Sequence, residues 1–262
     1  MGIISRFPAG ATKPYIEEIY NSDGQLIDVN MYGYKTIRDY AFYYCTSLAL
    51  TGLPSGITNI GYRAFYRCTN LALTSLPSGI TSISNEAFYY CTSLALTSLP
   101  NGLTSIGGST FSSCTNLALT SLPSGITSIG SSAFAGCTNL ALTSLPSGIT
   151  SIGNYAFSSC PNLALTSLPS GITSISNNAF QNCTSLALTG LPSGITNIGY
   201  RAFYDCTNLT SLTFEGTPTS IGSTAFEGCT NLTVINVPWA EGAVANAPWG
   251  ATNATINYGY TG

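Results

Sequence analysis

The sequence predicts a repeat solenoid, in which each repeat forms one coil that stacks on the next. Nine cysteines recur at a constant interval of 23 positions, from Cys45 to Cys229. Columns of phenylalanine, isoleucine and leucine keep the same step. A fixed period of this length indicates units that cannot bury their apolar faces alone and must stack. We therefore expect nine coils over residues 34–238, extending roughly 45 Å at about 4.8 Å per coil.

Each coil repeats the same apolar positions, and these predict its core. Phenylalanine and cysteine stand three residues apart, so both can face inward from a single turn. The Pro-Ser-Gly that follows the last leucine marks a corner of the coil. In the coil around residue 134 the predicted core residues are Ile129, Phe134, Cys137, Leu140 and Leu145.

The two ends of the chain lie outside the repeat and are interpreted as caps. Residues 1–33 contain two strand-like runs separated by Asn21-Ser-Asp-Gly24, which predicts a β-hairpin. Residues 239–262 concentrate tryptophan, isoleucine and tyrosine. A solenoid needs such caps because its terminal coils otherwise expose apolar faces and unpaired strand edges.

Composition excludes several classes of partner. Only 6% of the 262 residues are charged and the net charge is −3, so we expect no nucleic-acid surface. Twelve of the 17 charges lie at or before Glu86, and none lies between Ala87 and Tyr200. No apolar run approaches the ~18 residues of a membrane span. The first residues do not resemble a secretory signal, and no anchor is recognised.

Enzymatic chemistry is not expected. The chain has no histidine, which removes histidine-based triads and metal sites. Any two cysteines are separated by at least one full repeat, whereas metal sites use close pairs, and stacked parallel Cβ vectors do not suit disulfides. The carboxylates form no recurring acid–base pair. We therefore predict free, structural cysteines, and no catalytic residue, metal or cofactor.

The repeat resembles a known family. Ile-Gly-x-x-Ala-Phe-x-x-Cys-Thr-x-Leu, as in Ile129–Leu140, is similar to the leucine-rich repeat of the BspA type, also called the Treponema pallidum type. The resemblance implies a right-handed coil with a parallel β-sheet on one face and short turns or helical pieces on the other. It also implies a bacterial or protozoan surface protein, since some members adhere to host matrix proteins or to other cells.

Seven central coils depart from the family's strand pattern. They read Leu-Ala-Leu-Thr-x-Leu-Pro, as in Leu140–Pro146, where the family has Leu-x-x-Ile-x-Ile-Pro. If the strand register is kept, Leu142 points outward and forms an exposed leucine row with its equivalents. If the strand bulges, Leu142 turns inward and Thr143 faces water. We favour the inward arrangement because it buries seven leucines.

Two short windows vary from coil to coil, one before and one after Ala-Phe, and stacking aligns each into a surface column. Two explanations fit this variation: solvent-facing positions can change without consequence, or the two columns form a recognition surface. Tyrosine and arginine carry much of the energy of interfaces. The candidate binding residues in the N-terminal third are Tyr43, Tyr44, Tyr62, Arg63, Tyr66, Arg67, Tyr89 and Tyr90.

These features lead to a functional hypothesis with an alternative. The first is a non-enzymatic scaffold at the bacterial cell surface that binds a protein or glycan of host matrix or of another microbe; the sequence leaves its oligomeric state open, and we favour a monomer. The alternative is a structural or display component, such as a phage or prophage virion protein or a passive spacer. The sequence does not distinguish ligands.

Overall fold

The computed structural model describes residues 15–262, which form a parallel β-solenoid whose neighbouring coils align residues 23 positions apart in the sequence. The predicted N-terminal segment, residues 1–33, therefore lies partly outside the described residues. From Tyr15 onward it is a hairpin in which β1 (Tyr15–Tyr20) pairs antiparallel with β2 (Leu26–Tyr32). The backbone of β2 also contacts the first coil, since the Ala49 amide donates to the Ile27 carbonyl at 2.8 Å.

Each coil contributes a two-residue strand that ends on the isoleucine column. Equivalent residues of neighbouring coils pair in parallel within three three-stranded sheets, as Ile129 does with Ile106 and Ile152. The isoleucine faces the core and its polar neighbour faces outward. These strands are β3 (Thr36–Ile37), β4 (Asn59–Ile60), β5 (Ser82–Ile83), β6 (Ser105–Ile106), β7 (Ser128–Ile129), β8 (Ser151–Ile152), β9 (Ser174–Ile175), β11 (Asn197–Ile198) and β13 (Ser220–Ile221).

A second, longer parallel sheet occupies the leucine-rich face, but only in the last coils. It contains four strands in the order β10 (Gly190–Leu191), β12 (Ser211–Phe214), β14 (Val234–Val237) and β15 (Thr255–Tyr258). β12 and β14 belong to the two coils that keep the family's strand pattern, which explains why the ladder is regular there.

In the central coils Leu142 points inward, which is the favoured one of the two predicted arrangements. Its side chain is fully buried, as is Leu140, while Thr143 is exposed. The six equivalent leucines are also buried, at 4% exposure or less. With Leu140 and Leu142 both inward, the chain must bend before Leu145, and the regular ladder is lost. One backbone bond per coil remains here, such as Ala141 N–H to the Leu119 carbonyl at 3.2 Å.

The opposite face consists of turns, the first of the two forms that the resemblance implies, and residues 15–262 contain no helix. Ser132 and Gly136 have positive φ values of 55° and 74°, so the chain cannot continue as a right-handed helix. In this turn every second backbone amide donates its hydrogen bond to the next coil instead, as when Phe134 N–H donates to the Ala156 carbonyl at 2.8 Å. The turns therefore provide hydrogen bonds between coils.

The core is a set of parallel ladders of identical side chains. Ile129, Phe134, Cys137 and Leu140 are buried as predicted, whereas Leu145 is only partly buried against the core. Neighbouring phenylalanine rings stack nearly parallel throughout the column, with centroids 5.1–5.6 Å apart. This regularity follows from the sequence, because the same residue recurs at the same point of each coil.

The C-terminal segment, residues 239–262, adds one further coil. β15 pairs in parallel with β14, and the Phe226 amide donates to the Trp249 carbonyl at 3.0 Å. Trp249 is fully buried, and its indole Nε1–H donates to the Ala245 carbonyl at 2.7 Å. The segment thereby covers the apolar end of the last repeat.

Candidate functional site

The eight predicted binding residues lie together on the turn face of the first three coils. They form columns because residues one repeat apart occupy the same place in successive coils. Tyr66 stacks between Tyr43 and Tyr89, with ring centroids 5.1 and 4.7 Å away. We call this surface the Tyr–Arg strip; its members are the eight predicted residues together with Tyr40 and Glu86, which the structure adds.

Arg67 occupies the middle of a second column, between two tyrosines. Its guanidinium carbon is 5.5 Å from the centre of the Tyr44 ring and 5.1 Å from that of Tyr90. Its Nε is buried and has no hydrogen-bond partner. The phenols of Tyr44, Tyr66 and Tyr89 act to raise the pKa of Arg67, with Tyr44 contributing most. The aromatic rings therefore hold this cation in place.

Arg63 has a different environment, because a carboxylate neutralises it. Its Nε and Nη2 both lie 2.9 Å from Oε2 of Glu86, and its guanidinium is 5.0 and 5.1 Å from the ring centres of Tyr62 and Tyr66. The Tyr62 hydroxyl donates to Oε1 of the same glutamate at 3.1 Å. The hydrogen bond that Arg63 donates to Glu86 raises the pKa of Arg63.

Backbone geometry determines how the strip side chains project. Tyr44, Arg67 and Tyr90 all have φ near 58°, and Arg63 and Glu86 also have positive φ. This left-handed conformation is unusual for non-glycine residues and recurs twice in most coils. Tyr43, Tyr44 and Tyr90 are exposed, and the remaining predicted residues are half-buried. The strip is thus a rigid, partly solvated surface of aromatic rings with one unneutralised guanidinium.

Sequence reasoning omitted Tyr40 and Glu86, although the period contains the signal for both. They lie one repeat before and one repeat after Arg63, so they occupy its column in the adjacent coils. The Tyr40 ring centre is 5.4 Å from those of Tyr43 and Tyr62, in edge-on contact.

A second tyrosine–arginine cluster lies six coils further along, where Tyr200, Arg201 and Tyr204 are the equivalents of Tyr62, Arg63 and Tyr66. Arg201 is 5.0 Å from the ring centre of Tyr200 and 4.7 Å from that of Tyr204. Its Nε is also buried without a partner. This cluster differs in its charges, because Asp205 follows Tyr204 directly and Glu227 occupies the Tyr204 column in the next coil.

The cysteines form an internal ladder, as predicted. All nine are free thiols, and eight are buried. Cys137 Sγ donates to the Phe111 carbonyl at 3.0 Å, and the same bond recurs from Cys68 to Cys229. Burial raises the pKa of Cys160 and Cys229 to about 12. The eight buried cysteines are therefore unreactive thiols with a structural role.

The part of the chain from residue 15 onward contains no grouping of three or more cysteine, aspartate or glutamate side chains that could hold a metal ion. Nor does this part contain a helix long and apolar enough to cross a bilayer.

Comparison with known proteins identifies the family. The model of the BspA type leucine rich repeat region matches residues 35–164 and 150–241 in six copies, which is well over half of the chain. The chain therefore belongs to the BspA-type leucine-rich repeat family, and it is a repeat scaffold of that class. No curated protein matches it.

Among the solved structures that are similar to this chain at low sequence identity, one shows the same fold with a TM-score above 0.5. A leucine-rich repeat protein from Eubacterium ventriosum is 21% identical, with a TM-score of 0.52, over 92% of this chain and 75% of that one. A leucine rich cell surface protein from Faecalibacterium prausnitzii is 23% identical, with a TM-score of 0.49, over 97% of each chain. The Treponema pallidum leucine-rich repeat protein is 24% identical, with a TM-score of 0.41, over 86% and 90%.

Proposed function

We propose that the chain is a non-enzymatic binding scaffold displayed at a bacterial cell surface, and that the Tyr–Arg strip is its contact surface. The ligand would be a protein or glycan of host matrix or of another microbe. Membership of the BspA-type family supports display and binding. The observation that carries the location of the site is Arg67, a half-buried cation held between the tyrosine rings of the two adjacent coils and without a carboxylate partner.

The energetics of interfaces support this choice. Tyrosine and arginine are enriched among residues whose truncation weakens binding most. Rings already stacked within a rigid coil lose little conformational entropy when a ligand contacts them. Elsewhere the turn face carries mostly Ser, Asn and Gly, and no charge occurs between Ala87 and Tyr200. The strip is therefore the most distinctive surface of the repeat region.

Arrays of matrix proteins, mucins and glycans test the proposal. We expect wild type to bind a subset of these ligands and the Tyr66→Ala/Tyr89→Ala double variant to lose most of that binding. Tyr155→Ala is the control, because it removes an exposed tyrosine of the turn face that lies outside the strip. An array without any ligand up to high micromolar concentration, or equal losses in both variants, contradicts the proposed site.

Cell-surface display has its own test. Brief protease treatment of intact native cells, followed by mass spectrometry, should release peptides of this chain. Detection of those peptides only after lysis, or only in particles purified after prophage induction, contradicts display and favours a structural role.

A further inference from the structure

The strip carries an unneutralised cation, and this narrows the class of ligand. Of the ten strip members, Arg63 and Glu86 pair with each other and cancel in charge. Among residues 15–262 this is the one ion pair. Residues 1–14 contain neither aspartate nor glutamate, so they supply no carboxylate side chain for Arg67. Arg67 is therefore the cation of the strip that is left without a carboxylate.

The orientation of Arg67 favours an anion at its edge. Tyr44 and Tyr90 lie near its guanidinium from the coils before and after. Cation–π contacts use the faces of a guanidinium group and leave its in-plane N–H groups for hydrogen bonds. The Nε of Arg67 is buried, so the N–H groups of its two terminal nitrogens would form the planar fork that binds two oxygens of a carboxylate or a sulfate.

The coils that carry the strip are themselves cationic, whereas the hairpin before them is acidic, with Glu17, Glu18, Asp23 and Asp28. Residues 34–90 contain four cationic and two anionic side chains, a net charge of +2 in an acidic protein; they are Lys35, Arg38, Arg63, Arg67, Asp39 and Glu86. The Arg201 cluster lies instead beside Asp205 and Glu227, which disfavour an anion. The two clusters thus share tyrosine–arginine packing and differ in charge.

We propose that Arg67 binds a sulfate or carboxylate group of an acidic glycan, while the neighbouring tyrosine rings pack against its sugar rings. This rests on the proposed function of the strip. Tyrosine faces are electron-rich and attract the C–H-lined faces of pyranose rings, and their hydroxyls hydrogen-bond to sugar hydroxyls. A single cation among seven tyrosines suits a polymer of sugar rings with spaced anions better than a densely charged acidic peptide.

The test compares matched arginine variants of the full chain. The probes are a heparin octasaccharide, a hyaluronan oligosaccharide, neutral dextran and poly-glutamate, titrated calorimetrically at low and physiological salt. We expect wild type to bind one or both acidic glycans, more weakly as salt rises. Loss of a bidentate charged contact in R67Q should reduce affinity about tenfold or more. R67K should recover only part of it, because lysine lacks the fork.

R201Q is the control, since Arg201 also lies over two tyrosine rings, here those of its own coil, and also has a buried, unpartnered Nε. It should bind the acidic glycan as wild type does, and thermal melting should show both variants folded. Equal losses in R67Q and R201Q, tighter binding of poly-glutamate than of glycan, or equal binding of dextran would each overturn the proposal.

The same titrations separate this inference from the proposed function. If R67Q binds as wild type does and Tyr66→Ala/Tyr89→Ala does not, the strip binds a ligand but Arg67 does not recognise an anion. If neither variant changes the affinity of a ligand that wild type binds, the strip itself is not the site.

Discussion

The inward turn of Leu142 and its equivalents shapes each central coil. Leu140 and Leu142 are both fully buried with Ala141 between them, and Thr143 is exposed. Burying both leucines stabilises the core but interrupts the parallel ladder on that face. The side chains, rather than a continuous sheet, therefore hold the leucine-rich face of the central coils together.

Truncation of Leu142 should be costly. We expect Leu142→Ala to lower the free energy of unfolding by about 2–5 kcal/mol, because the stacked neighbours cannot fill the cavity. Thr143→Ala, one residue away on the exposed side, should change it by less than about 0.5 kcal/mol. Urea unfolding followed by circular dichroism measures both. Similar midpoints for the two variants would contradict the inward placement.

The buried thiols predict a dependence of stability on alkaline pH. Burial raises the pKa of Cys160 and Cys229 from the ordinary value of 9.0 to about 12. An unfolded chain loses these protons near pH 9 while the folded chain keeps them. The unfolded state therefore binds fewer protons between pH 9 and 12, and stability falls as pH rises through that range.

The Cys160→Ala/Cys229→Ala double variant measures this effect against wild type. Each thiol contributes a slope of at most about 1.4 kcal/mol per pH unit. The variant should lose stability less steeply than wild type above pH 9 and show the same pH dependence below it. Parallel curves from pH 7 to 11 would contradict the burial of these thiols.

At the scale of elements, Trp249 anchors the C-terminal coil against the last repeat. It is fully buried, its indole donates to Ala245, and its backbone carbonyl accepts the Phe226 amide. Trp249→Ala should lower stability by about 3–5 kcal/mol. It should also speed hydrogen exchange of the Phe226 amide, whereas the exposed Tyr260→Ala should not. Unchanged exchange in the Trp249 variant would show that the C-terminal segment does not protect the last repeat.

The sequence predicts the core well because each core column repeats one residue type. Ile129, Phe134, Cys137 and Leu140 were identified in this way, and the period alone aligns Tyr44, Arg67 and Tyr90. The turn face was predicted less well, because positive φ at residues such as Ser132 and Arg67 has no clear residue signature. Left-handed positions here hold serine, tyrosine, arginine and asparagine, so stacking between coils overrides local preference.

For the candidate site too, the period predicts which residues align but not how their side chains interact. The eight predicted residues of the strip meet because of the period. The ion pair between Arg63 and Glu86, and the unpaired state of Arg67, depend on side-chain conformations that the sequence does not specify. Leu145 is only partly buried, whereas its equivalents Leu99, Leu122 and Leu168 are buried, and the repeated sequence carries no signal for this difference.

At the scale of the whole molecule, each coil contacts mainly its neighbours, so a whole repeat should be removable. Deleting residues 116–138 joins Thr115 to Asn139 and restores the native Cys-Thr-Asn-Leu sequence. This variant should fold, lose some stability, and shorten by about one coil spacing, ~4.8 Å, in small-angle scattering. Deleting only half of that repeat, residues 116–127, breaks the register and should prevent folding. Unfolding of the whole-repeat variant would contradict nearest-neighbour stacking.

Hydroxyl-radical footprinting of the full chain, free and bound to a mixture of matrix components and mucin, tests the central claim most directly. It measures side-chain protection without requiring the ligand to be known. Tyr43, Tyr44 and Tyr90 should become protected on binding, while the exposed Tyr155 and Tyr200 should react as in the free protein. No protection, or protection centred on Tyr155 or Tyr200, would contradict the Tyr–Arg strip as the binding surface.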